Sequence, residues 1–197
     1  MKTFWTRRNF IKSGLLVSFS ALVLDALWFE KFFIETKHYA LKAHSGAPLG
    51  LKFIQISDLH LKSVNSQLKR LAKKINALNP ELIMLTGDAV EGNLTKALQE
   101  FKESDCHIIR NHCPAYAETI ARELTVAQTC NAILSGHTHG GQVNLFGYIP
   151  VLPAGSGKYV KGWYKAGNLD LYVSKGIGTS LLPVRLGARA EIAVFEV

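Results

Sequence analysis

From Leu51 onward the sequence predicts an α/β domain, a sheet-based core with helices laid against it, and three observations lead to that class. Short apolar runs alternate with segments whose apolar residues recur at helical spacing, as strand and helix units in series require. Several of the apolar runs break off into Asp, His and Gly, residue types that serve a ligand site beyond the carboxyl ends of strands. A composition of 48% hydrophobic and 19% charged residues over 197 positions is enough for one compact core with an appendage.

The elements follow in order. LKFIQIS (51–57) reads as the first strand and is followed by DLH; SQLKRLAKKINAL (66–78) carries a helical apolar stripe; ELIMLT (81–86) is a strand followed by GD. NLTKALQEF is a second helical pattern. HIIRNH is the next strand and stops at Pro114, after which AYAETIAREL reads as a helix. NAILS (131–135) is followed by GHTHGG, LYVS (171–174) leads into KGIGTS, and EIAVFEV (191–197) closes the chain as a strand.

The first 50 residues are of a different kind. They hold seven Lys or Arg (Lys2, Arg7, Arg8, Lys12, Lys31, Lys37, Lys42) against Asp25, Glu30 and Glu35, and so carry +4 of the net +8. TRRNFIK followed by SGLLVSFSALVLDALWF resembles a twin-arginine export signal. The apolar stretch from Gly14 to Phe29 contains Asp25 and falls short of the ~20 residues that a comfortable membrane span needs. No A-x-A cleavage site follows closely. Residues 1–37 are therefore expected to be a signal or membrane anchor, 38–50 a linker with Gly and Ser and no periodicity, and 51–197 the domain. The bland alternative is an amphipathic helix on a cytoplasmic protein. The expected location is the membrane, on the exported side of a bacterial inner membrane, with the cytoplasmic face as the other possibility. The remaining +4 is spread thinly with no basic run or aromatic-interleaved stripe, which argues against a nucleic-acid partner.

The candidate site residues are Asp58, His60, Asp88, His112, His137 and His139, each just beyond a predicted strand. On extended backbone, residues i and i+2 point the same way, so Asp58 with His60, and His137 with His139, each present two ligands to one side. Gly87, Gly136, Gly140 and Gly141 leave backbone room beside them. Carboxylates and imidazoles without thiolates suit Mn, Fe, Zn or Ni. Cys106, Cys113 and Cys130 form no C-x-x-C pair and read as small buried residues.

These blocks resemble the calcineurin-like metallophosphoesterases: D-x-H at Asp58-Leu59-His60, G-D at Gly87-Asp88, and G-H-x-H at Gly136-His137-Thr138-His139. SGHTHGGQ and the downstream YVSKGIGTSLLPVRLGARAEIAVFE look closest to a bacterial membrane-associated phosphodiesterase branch. The resemblance implies a β-sandwich flanked by helices and a dinuclear centre of two divalent cations that activates water to attack a phosphate ester. In this sequence no catalytic residue is identified beyond the metal ligands. One ion would be held by Asp58, His60, Asp88 and His139, the other by a bridging Asp88 with His112 and His137.

The family's third block, Gly-Asn-His followed by an acid, has no full counterpart. Asn111-His112 is preceded by Arg110 and followed by Cys113, so as a third block it fails at two positions, whereas as the fourth, a strand-end His with Pro two residues on, every position fits. His112 is assigned to the fourth block, and the domain is expected to be shortened in the middle, with a weaker second metal site. The expected function is a metal-dependent phosphodiesterase or phosphatase acting on a phosphate ester, lipid-linked in view of the membrane address. The alternative is a catalytically impaired metal-binding remnant of that family.

Overall fold

The structure, a computed structural model, describes residues 6–42, 48–60, 66–86, 107–123, 130–180 and 182–197. The predicted helix in NLTKALQEF and the Gly87-Asp88 block lie outside the described residues.

Two four-stranded sheets form the core. The first has the order β1 (Glu35–Ala40), β8 (Glu191–Glu196), β2 (Lys52–Ser57), β3 (Leu82–Thr86); the second has β4 (His107–Arg110), β5 (Cys130–Ser135), β7 (Leu169–Val173), β6 (Gly162–Ala166). β2 runs parallel to β3, and β4, β5 and β7 run parallel to one another, so their carboxyl ends gather at one end of each sheet. β8 is antiparallel to β2, and β6 to β7.

The alternation of side chains along each strand explains the layering. Phe53, Ala193 and Phe195 of the first sheet meet Ala132, Leu134 and Tyr172 of the second in a buried layer between the sheets. The other face of the first sheet, with Ile54, Ile192 and Val194, packs on Leu71 of helix α2 (Ser66–Leu78), whose helical stripe was legible in the sequence. Ile133, Leu171 and Val173 pack on Ala117 and Ile120 of helix α3 (Ala117–Glu123). The result is a sandwich with a helix on each outer face, the fold class that the sequence predicts. Edge strand β3 departs from its apolar pattern, because Leu82, Ile83 and Leu85 are exposed.

Two features lie on or before the expected domain limits. Glu35–Ala40 is a strand paired in register with β8, crossing the boundary drawn at residues 37 and 38 and taking part of the expected linker into the first sheet. Polar ties explain why a segment without apolar alternation joins the sheet: Lys175 Nζ bonds Glu35 (2.7 Å) and the buried Glu191 (3.1 Å), and Lys37 lies 3.9 Å from Glu191. Ahead of it, helix α1 (Arg7–Phe32) is long and apolar enough to cross a membrane, by length and composition. It runs past both ends of the Gly14–Phe29 stretch, and Thr6 caps it by accepting from Asn9 N. Large apolar residues all around it, Phe10 to Trp28, are exposed.

Candidate metal centre

Four of the five described candidate residues at the strand ends share a strained backbone. Asp58 (φ +50°), His60 (+46°), His137 (+71°) and His139 (+51°) all lie in the left-handed region, which costs L-residues roughly 1–2 kcal/mol apiece. Such strain persists only where the surroundings over-determine it, and it clusters at functional sites.

Asp58 follows β2 and is cradled by glycines. A Cβ on Gly136 would lie 1.8 Å from Ser57 Oγ and 2.5 Å from Asp58 Oδ2; one on Gly178 would lie 2.6 Å from the Asp58 carbonyl oxygen. The carboxylate accepts from Ser57 Oγ (2.5 Å) and from the backbone N–H of His137 (2.8 Å), so its orientation is set by both sheets. Gln55, wholly buried in β2, donates to Thr86 Oγ1 and to the Ser135 carbonyl (3.0 Å each) and ties the strand ends across the sandwich.

Around Asp58 stand two imidazole pairs. His60 Nε2 faces His139 Nε2 at 3.1 Å, and His112 Nε2 faces His137 Nδ1 at 3.0 Å. His112 Nδ1 lies 3.7 Å from Asp58 Oδ1. A neutral imidazole presents one donor and one acceptor. The His137 Nε2–H donates to the Ala154 carbonyl (2.6 Å), so its Nδ1 turns a lone pair toward His112. A carbonyl that fixes the tautomer in this way is the usual partner of a metal-ligating histidine.

Burial, the largest influence, pushes the His139 pKa down to about 4; the Asp58 charge opposes it, while Arg185 and His60 add to it. His139 is therefore neutral at pH 7 and able to give its lone pair to a cation. Arg185 is fully buried, with its Nη2 3.4 Å from His139 Nδ1 and donating to the Gly178 carbonyl (2.5 Å).

Ligand atoms of Asp58, His60 and His139 lie within 4.8 Å of one another, as do those of His112, Cys113 and His137. The structure thus brings five of the six candidates to one place; the sixth, Asp88, lies outside the described residues. An oxygen and nitrogen donor set of this kind fits a divalent cation such as Mn or Zn. Asn111 is turned away, its amide donating to the Cys113 carbonyl (2.7 Å) and Ser135 Oγ (3.3 Å). Cys113 is the neighbour that sequence reasoning missed; the signal available was its place between His112 and Pro114. The centre opens into a cavity of about 750 Å³ whose outer wall includes Val143, Val151, Pro153 and Leu182.

The chain is 47% identical over 66 residues to an uncharacterized metallophosphoesterase of Bacillus subtilis, YkuE, covering 33% of this chain and 23% of that one. It is 36% identical over 78 residues to the phosphodiesterase YaeI of Escherichia coli, covering 39% of this chain and 28% of YaeI. It is 44% identical over 43 residues to the UDP-2,3-diacylglucosamine pyrophosphatase LpxG of Chlamydia trachomatis, covering 21% of this chain and 13% of LpxG. No family model matches the chain, and no solved structure matches it. The relatives that carry a functional name are named metallophosphoesterase, phosphodiesterase or pyrophosphatase, and so point to a metal-dependent phosphoesterase family. The chain is similar to proteins named metallophosphoesterase, and that likeness supports the calcineurin-like superfamily. The matches span only 13% to 28% of the length of these three curated relatives.

Proposed function

We propose that the protein is a metal-dependent phosphoric ester hydrolase with two cation sites of unequal strength. Asp58, His60 and His139 would hold the first ion and His112 and His137 the second, with Asp88 the further ligand expected from the sequence. When bound, such a pair neutralises phosphate charge and supplies an activated water at neutral pH. The chain's own residues do the positioning. Ser57 and the His137 amide hold the Asp58 carboxylate, the Ala154 carbonyl sets the His137 tautomer, and burial keeps His139 unprotonated. The observation that carries the reading is the pair of facing imidazole couples on either side of one buried carboxylate, on strained backbone.

Among the described residues no side chain fills the part of the third block, since the Asn111 amide is committed elsewhere. That favours the second reading, a metal-binding domain of impaired turnover, and makes the second ion the weaker. Hydrolysis of a bis-aryl phosphodiester with added Mn separates the two. The first reading expects turnover abolished by Asp58→Ala; metal uptake without turnover above the variant's level supports the second.

A lipid-linked phosphate is the proposed substrate, supported by the apolar cavity wall, the membrane-length helix α1 and the name of LpxG. Location on the exported side is proposed from TRRNFIK. Replacing Arg7 and Arg8 by Lys blocks that export; an unchanged exported level contradicts it.

A further inference from the structure

Beside the metal centre a hairpin carries a side chain that neither fold nor site explains. Leu145 and Tyr148 exchange both backbone hydrogen bonds, 2.9 Å each, around a two-residue turn of Phe146 (φ +52°) and Gly147 (φ +98°). Turns with two positive φ values favour Asn-Gly, and a bulky aromatic at the first position is strained. This aromatic is also 108% exposed, and Leu145, Tyr148, Val151 and Leu182 around it are exposed as well. Val151 and Leu182 belong at the same time to the wall of the cavity. An apolar rim at a strained tip has no use in water.

The chain itself indicates what covers it. Helix α1 ends in Trp28, Phe29 and Phe32, with Phe33 just beyond, and aromatics of this kind mark the headgroup level of a membrane. That end is fastened to a single loop: Arg185 N donates to the Ala26 carbonyl (2.9 Å), Gly187 N and Ala188 N donate to the Glu30 carboxylate (3.0 and 2.9 Å), and the Arg189 guanidinium lies 5.2 Å over the Phe29 ring. The same loop is fastened to the base of the hairpin. Leu186 N donates to the Gln142 carbonyl (2.9 Å), Asn144 N to the Leu186 carbonyl (2.7 Å), and Gln142 Nε2 to the Leu182 carbonyl (2.6 Å). Leu182 and Arg185 are three residues apart, within about 11 Å even if fully extended. The interfacial end of the helix and the rim of the cavity are thus neighbours on one bonded frame.

We propose that the Leu145–Tyr148 tip, with Val151 and Leu182, is a lipid-contacting surface that enters the bilayer holding helix α1. The cavity then opens onto the headgroups and takes an amphiphilic phosphate ester lying in that leaflet. The second statement rests on the phosphoesterase reading; the first does not.

The full chain, reconstituted in vesicles of phosphatidylglycerol and phosphatidylcholine with bromine on the acyl chains, tests it through Phe146→Trp. The emission added over the parent, whose own Trp5, Trp28 and Trp163 give the baseline, is expected to be blue-shifted and strongly quenched by the brominated lipid. Water-like, unquenched emission from position 146 beside quenched emission from Trp28 overturns the proposal. So does a blue shift without bromine quenching in a chain that dimerises, which assigns the tip to a second copy. With activity in hand, Phe146→Ser combined with Tyr148→Ser lowers hydrolysis of a phospholipid ester in the vesicles about tenfold, and leaves a soluble bis-aryl phosphodiester unchanged. Quenching at position 146 in a chain that hydrolyses neither substrate supports the surface and removes the hydrolase reading.

Discussion

Gly136→Ala places the most severe local demand on the proposed centre. The added Cβ would stand 1.8 Å from Ser57 Oγ, 2.5 Å from Asp58 Oδ2 and 3.1 Å from Ser57 Cβ, where the Ser57 side chain is completely buried and cannot swing into solvent. Forcing one methyl into such packing costs about 1–3 kcal/mol. Displacing the Ser57 hydroxyl from the carboxylate costs a further ~1.5–3 kcal/mol, because the acceptor is charged. For a chain of this size each kcal/mol is worth about 2–4 °C, so the unfolding temperature should fall by roughly 5–25 °C. The Asp58 carboxylate, turned from its place, should lose about 10–100-fold in affinity for Mn. Thermal unfolding without metal and Mn titration by calorimetry read the two effects. Adding Ser57→Ala removes the 1.8 Å conflict but not the one with Asp58 Oδ2, so it should return part of the stability and little of the affinity. Gly14→Ala, whose Cβ meets nothing within 4 Å, is the control. A Gly136→Ala chain that unfolds within about 2 °C of the parent and binds Mn as tightly would refute the cradle.

Three further outcomes are expected. Glu30→Ala removes the acceptor of two backbone N–H groups, costs about 3 kcal/mol, and should open residues 26–40 to limited proteolysis; an unchanged cleavage pattern would contradict the docking of that segment. His139 has its folded pKa depressed from 6.5 to about 4, so the unfolded chain takes up the proton first; stability is full above pH 6.5 and should fall by about 3 kcal/mol as pH drops toward 4. His139→Gln should flatten that slope relative to the metal-free parent, and identical slopes would rule the group out. Cys113→Ser should weaken the second, looser site for Zn, which favours thiolate, more than for Mn; equal loss for both ions would show that the thiol is not a ligand.

The sequence carried the layered fold and most of the centre because both depend on local pattern. α2 coincides with its helical stripe over Ser66–Leu78, and β2, β3, β5 and β8 lie within a residue of their apolar runs. The histidines were legible because they follow strands. β1 was not, since Glu-Thr-Lys-His-Tyr-Ala has no apolar alternation and is held by Lys175 and Glu191, 135 or more residues away in the chain. β6, Gly162–Ala166, is short and was passed over despite the turn residues Gly167 and Asn168. Glu30 counted only as one of three acids in the appendage, yet it is buried and holds the loop at Gly187 and Ala188. Arg185 and Cys113 acquire their meaning from neighbours that are distant in the chain, His139 for the first and His137 for the second. No single-sequence pattern encodes that.

The central claim is that two divalent cations of unequal affinity occupy the ends of these strands. Anomalous scattering from crystals of the chain equilibrated with Mn locates them directly. The account predicts a strong peak bounded by Asp58, His60 and His139, and a second between His112 and His137 that grows as Mn is raised. Mn bound elsewhere on the folded chain, with neither position filled at millimolar concentration, would contradict it.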